Sequence, residues 1–274
     1  MRIAIDASVA NDADSHQWLD RILAKIEDRW HVWDLTGDRD VEAISTSTWC
    51  LDPGRQGVRV KDMLVAATKL AAWTLEPHER RLRVTAYPNA HDELAAETAC
   101  RLAETPLEIL VENRDSDGAF VRRIIEELDP DLAVLWRNPT EPIRFDSVGG
   151  KGQMAQAVRN RTCGPRPTRL VAVIDSDRKG SNDQASGEAR ALRRACKQGG
   201  QSCWVLAKRE AENYLTKALL VARPDTGADH RQRVAAWDRL SDDQKNFFDM
   251  KEGWSKTLPR RSRTCSTACR TSIG

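Results

Sequence analysis

Apolar residues in this chain fall into short continuous runs separated by stretches of helical spacing, and the alternation is most regular from Leu107 onward. The run LEILVE, Leu107–Glu112, is too uniformly apolar for a half-exposed strand, so it reads as a buried strand that delivers Glu112 at its carboxyl end. A helix is expected over Asp117–Leu128, with Phe120, Ile124 and Leu128 at core spacing. Leu132–Trp136 and Ile143–Val148 read as strands around a proline-containing turn. The Gly149-Gly150-Lys151-Gly152 turn then leads into a helix over Gln153–Arg161. A strand over Leu170–Asp175, a helix over Gln184–Gln198, a strand over Ser202–Leu206 and a helix over Ala211–Leu220 complete the series.

Upstream the pattern is less regular. Arg2–Ile5 reads as a strand, and Gln17–Asp28 as a helix with Leu19, Ile22, Leu23 and Ile26 on one face and Asp14 or Ser15 as its cap. His31–Leu35 reads as a second strand, so the chain opens β-α-β. Thr36–Gly57 shows no clear period and reads as loop. Val60–Trp73 and Asp92–Glu104 have helical spacing, Leu82–Ala86 reads as a strand, and no internal repeat is evident. Apolar strands alternating with helices predict an α/β fold, a parallel sheet with helices on both faces. Ligands of such sheets bind at the carboxyl ends of the strands. The expected organisation is an N-terminal α/β region over 1–105, a catalytic domain over 106–222, a helical extension over 223–253 and a basic tail over 254–274.

Composition narrows the classes. The chain has 274 residues, enough to bury a substantial core, and a formal net charge of +2. No strongly basic body advertises nucleic acid, so any phosphate-binding surface must be local. Seven cysteines without a CxxC pair argue against a disulfide framework and for a reducing cytoplasm. No run approaches the roughly 18–20 apolar residues of a membrane span, and the opening MRIAIDAS is not a signal peptide. Five dispersed histidines form no HxH or HExxH pattern, which gives zinc catalysis no support. Of the nine tryptophans, Trp136 and Trp204 are expected in the core, and Trp18, Trp30 and Trp33 in the N-terminal layer.

The chemistry lies in the acidic residues at strand ends. Asp175 and Asp177 alternate along an extended segment and face one site, with Glu112 arriving from a neighbouring strand as ligand or general base. Glu212 comes to the same rim at a helix start, and Asp115 and Asp117 lie in the loop after Glu112, where Asp117 alternatively caps the helix. Hard divalent cations take oxygen ligands, and two of them about 4 Å apart activate water and stabilise the leaving oxygen of a phosphodiester. Gly149, Gly150, Lys151 and Arg178 flank this set as candidate phosphate contacts. Each motif alone has a plainer reading: a DxD as a turn, GGKG as a loop, REAEN as a capped helix start.

Together, VENRDSDGAF, VGGKG, IDSDR and REAENYL resemble the TOPRIM domain, and most of all the OLD-like nuclease branch of bacterial anti-phage systems. On that resemblance Glu112 matches the TOPRIM glutamate, Asp175 and Asp177 the DxD pair, and Glu212 a later acidic position. Asn113 stands where many members have glycine. The resemblance implies an endonuclease acting on DNA or RNA with Mg²⁺ or Mn²⁺, and Lys251 matches a late lysine that stabilises the transition state. No Walker A motif is present, so an ATPase would be a separate partner; a homo-oligomer is also compatible. The rival expectations are a TOPRIM subunit that binds nucleotide or nucleic acid without turnover, and a doubly wound small-molecule domain with incidental acids. The last segment, KTLPRRSRTCSTACRTSIG, is basic throughout and reads either as a nucleic-acid-binding tail or as an out-of-frame translation.

Overall fold

In the computed structural model the described residues are 1–35, 38–52, 57–71, 81–90, 92–135, 142–164, 168–221 and 234–250. The chain forms two compact units. One comprises Met1–Leu107, Asp129–Arg144 and Gly164–Arg169; the other comprises Glu108–Leu128, Phe145–Cys163 and the chain from Leu170.

The first unit holds strands β1 (Arg2–Ile5), β2 (Val32–Trp33), β3 (Arg81–Val84) and β4 (Glu93–Leu94), all parallel in the order β2-β1-β3-β4. Its helices are α1 (Ala7–Ala10), α2 (His16–Glu27), α3 (Asp38–Ser45), α4 (Thr48–Leu51), α5 (Gly57–Ala71) and α6 (Ala96–Glu104). Helix α2 buries Leu19, Ile22, Leu23 and Ile26, the apolar stripe its spacing requires. It packs on α6, which presents the small residues Ala99, Cys100 and Ala103 and so permits close approach. Thr36–Gly57 departs from the loop expectation, because α3 and α4 lie within it. Four-residue α4 is too short to show a period; it is fixed by the Ser47 hydroxyl accepting the Cys50 N–H and by buried Trp49, whose ring lies 6.1 Å from that of Trp33 at a tilt of 50°. The expected helix from Asp92 begins instead at Ala96, since Glu93–Leu94 first pairs with Arg83–Val84.

The second sheet holds β5 (Leu107–Val111), β6 (Ile143–Ser147), β7 (Leu170–Ile174) and β8 (Ser202–Val205), parallel in the order β6-β5-β7-β8. Among the described residues this part of the chain also holds the helices α7 (Asp117–Leu128), α8 (Pro130–Leu135), α9 (Lys151–Thr162), α10 (Gly187–Gln198), α11 (Lys217–Val221) and α12 (Asp242–Phe247), with a further helical stretch at 234–238. The register places Leu110 beside Ala172 and Ile174 beside Val205. Leu110, Leu170, Ala172 and Ile174 form a core with Met154 and Val158 of α9 and Leu192 and Ala195 of α10. The strand order reverses between β5 and β7, which opens a crevice beyond their carboxyl ends.

Four expectations are corrected from Leu107 onward. Leu132–Leu135 belongs to α8, whose first residue, Pro130, suits an opening helical position; Trp136 lies outside the described residues. Leu128, the last residue of α7, is 80% exposed, and the face that α7 buries carries Gly118 and Val121. Trp204 is 40% exposed, because alternation along β8 turns Cys203 and Val205 inward instead. The REAENYL segment is a single 3₁₀ turn, Ala211–Tyr214, before the short α11. Among the described residues, no helix is long and apolar enough to cross a membrane.

Candidate functional site

Glu112 follows β5 directly, Asp175 follows β7 directly, and both therefore reach the crevice at the strand ends. The Gly149-Gly150 turn leads into α9, with φ of +76° and +147°, values that L side chains rarely adopt. That turn makes Gly150 the N-cap and Lys151 the first helical residue, and it sends the Lys151 side chain into the acids. Lys151 Nζ donates to both Asp177 oxygens, at 2.8 and 2.9 Å, and lies 3.5 Å from Asp175 Oδ2 and 3.7 Å from Glu112 Oε2. One ammonium thus serves three carboxylates, and the positive end of α9 adds to it. Burial would lower the Lys151 pKa, but the hydrogen bond to Asp177 and the charges of Asp175, Asp177 and Glu112 outweigh it and hold it above the usual lysine value.

A lattice of main-chain bonds fixes the acids. Asp175 is buried, and its Oδ1 accepts the Ala211 N–H at 2.9 Å. The fully buried Ser176 donates its hydroxyl to Lys208 O at 2.7 Å, and its carbonyl accepts the Ser186 N–H at 2.9 Å. Asp177 sits in the left-handed region, φ +54°, and its N–H is bonded to Arg209 O at 3.0 Å. The segment that makes these contacts is itself braced. Buried Asn213 accepts the Glu210 N–H through Oδ1 and donates through Nδ2 to Lys245 O and Phe248 O. The Tyr214 hydroxyl accepts the Ala207 and Lys208 N–H groups, while its ring packs 5.6 Å from Phe120.

Of the residues expected at the site, Glu112, Lys151, Asp175 and Asp177 are brought together, and Gly149 and Gly150 set the approach of Lys151. Glu212 is half-buried in the 3₁₀ turn and is not among the partners of Lys151; the carboxylate that this segment buries is Glu210, whose Oε2 accepts the Met250 N–H. Asp115 and Asp117 stay within their own loop. The Asp115 N–H bonds Asn113 Oδ1, and Asp117 accepts the Asn113 N–H at 3.0 Å, the local capping role. Arg178 directs its N–H to the Ser176 hydroxyl, and its buried Nε has no hydrogen-bond partner among the described residues. Lys251 and the basic tail lie outside the described residues.

The donors suit a hard cation, since all are carboxylate oxygens, but their spacing suits an ammonium. Among the described residues, no group of three or more His, Cys, Asp or Glu side chains is set to hold a metal ion. Comparison with family models, with curated proteins and with solved structures finds no match to this chain.

Proposed function

We propose that the second unit is a TOPRIM-type nuclease centre, hydrolysing phosphodiester bonds of DNA or RNA with Mg²⁺ or Mn²⁺. The observation that carries this reading is the convergence of Glu112, Asp175 and Asp177 on a single cationic atom at the strand-order switch. In this reading the metal supplies an activated water and a counter-charge for the leaving oxygen. Asp175 and Asp177 would hold it, Glu112 would serve as further ligand or proton acceptor, and Lys151 would move from the carboxylates to the scissile phosphate. Glu212, Asp115 and Asp117 remain candidates for a second ion, and Arg178 for a phosphate contact. A role in anti-phage defence beside a separate ATPase follows from the same resemblance, a cytoplasmic location from the cysteine pattern, and both are part of the proposal.

The test is cleavage of mixed DNA and RNA by purified protein with Mg²⁺ or Mn²⁺, beside an Asp175→Ala, Asp177→Ala control. Metal-dependent cutting that the control lacks supports the reading. A second reading, a TOPRIM subunit that binds without turnover, is favoured by Lys151, whose ammonium already occupies the centre of the acids. Nucleic-acid binding without cleavage, unchanged by a partner ATPase, selects it.

A further inference from the structure

The chain as a whole is nearly neutral, yet α9 and α10, packed against each other in the second unit, carry seven basic residues and one acidic residue between them. Helix α10 sorts its residues sharply. Ala189, Leu192, Ala195 and Cys196 are buried, while Arg190, Arg193, Arg194 and Lys197 are exposed at i, i+3, i+4 and i+7. Four cations therefore form one stripe, about 10 Å long at 1.5 Å per residue. Its only acid, Glu188, sits in the first turn, where it answers the helix dipole. Helix α9, packed against α10, exposes Arg159, bonded to the neutral Gln156, and carries no carboxylate.

A charged helix face is ordinarily solvated and laced with opposite charge. Two other surface helices follow that rule: Arg101 pairs with Glu97 on α6, and Arg123 with Glu126 and Glu127 on α7. Helix α10 breaks it. Arg193, Arg194 and Lys197 form no ion pair among the described residues, and Arg190 bonds the neutral Gln184. Like charges three and four apart work against the helix, so the stripe is held against a local cost. The geometry points to a polyanion docked along α10, and we infer that it is the phosphate backbone of a nucleic acid; naming nucleic acid rests on the proposed nuclease function. A 10 Å stripe spans on the order of three phosphates along one strand. Three of its four cations are guanidinium groups, which match phosphate in two-point geometry. A membrane surface fits less well, because the apolar side of α10 is spent in the core and neither helix exposes a large apolar residue to enter lipid.

Binding of fluorescent duplex and single-stranded oligonucleotides, measured by anisotropy in EDTA over a salt series, tests this. Each phosphate contact contributes about 0.9 to the slope of log affinity on log salt for duplex and about 0.7 for a single strand. Arg193→Ala, Arg194→Ala, Lys197→Ala together should lower the slope by about 2.7 or about 2.1 respectively. A charge-preserving Arg193→Lys, Arg194→Lys variant and an Arg123→Ala control should leave it unchanged, with circular dichroism establishing that all fold. An unchanged slope in the triple variant overturns the inference. So does a triple variant that loses only binding to vesicles of one part phosphatidylserine to three parts phosphatidylcholine. The slope is read without metal, so it stands apart from catalysis. A slope loss in a protein that never cleaves keeps this surface and rejects the nuclease, and cleavage with an unchanged slope does the reverse.

Discussion

Asp175 Oδ1 accepts a hydrogen bond from the Ala211 main-chain N–H at 2.9 Å, so a residue with a single methyl side chain orients the acid at the centre of the site. Ala211 opens its 3₁₀ turn, and Glu210 before it is extended at φ −137°, ψ 162°, so proline is sterically admissible at 211. Ala211→Pro should remove the donor at a helix-opening position that accepts proline. We expect a stability loss of about 1 kcal/mol and a fall in metal-dependent cleavage of about tenfold, read by urea denaturation and single-turnover kinetics.

Asp177 is held at φ +54° by its bond to Arg209 and its ion pair with Lys151. A non-glycine residue there stores about 1 kcal/mol of strain. Asp177→Gly should therefore be appreciably more stable than Asp177→Ala, while both lose cleavage. Thermal midpoints that rank alanine at or above glycine would refute this account of the turn.

Lys151 is the counter-charge of three carboxylates in a site only a fifth exposed at that side chain. Its folded pKa is raised, so its contribution is full below about 10.5 and is lost as pH climbs through the folded value. Lys151→Ala in metal-free buffer at pH 7 should cost about 1–3 kcal/mol, because the acids then face one another unshielded. Denaturation with and without EDTA measures it.

His31 lies in the first unit, its Nε2 donating to Ala103 O at 2.8 Å and its Nδ1 buried without a hydrogen-bond partner among the described residues. Burial, aided by the nearby charge of Arg169, pushes its pKa down to about 3. The folded chain thus refuses a proton that the unfolded chain accepts below about 6.5. The stabilising contribution is present above that pH and is lost toward pH 3, with a slope of about 1.4 kcal/mol per pH unit. His31→Gln keeps the donor and should flatten that part of the stability profile, as urea midpoints at pH 7, 5.5 and 4.5 would register.

What was legible in the sequence follows from what side-chain patterns encode. Glu112, Asp175 and Asp177 end apolar runs, so the period itself placed them at strand ends. Lys151 was visible through the glycine pair, although its geometry makes it a partner of carboxylates. The support from the Ala211 N–H was invisible, since a main-chain donor leaves no trace in residue type. Glu212 stands at an expected helix start, but the segment forms a 3₁₀ turn with Asn213 turned inward, and the glutamate it buries is Glu210, which no side-chain period marks. In the N-terminal sheet β1, β2 and β3 fall where strands are expected, and only β4 escapes, because two residues carry no alternation and adjoin a helical pattern.

The tethered ammonium gives the acidic crevice a resident counterion, so under the proposed function entry of a dissolved metal would be an exchange and not a simple addition. Under the proposed function, the apparent metal affinity equals the intrinsic one scaled by the fraction of time Lys151 is withdrawn. A phosphate that attracts that ammonium raises the fraction and opens the carboxylates in the same movement. One side chain would then couple substrate to metal, favouring a full charge at the crevice only when there is a backbone to cut.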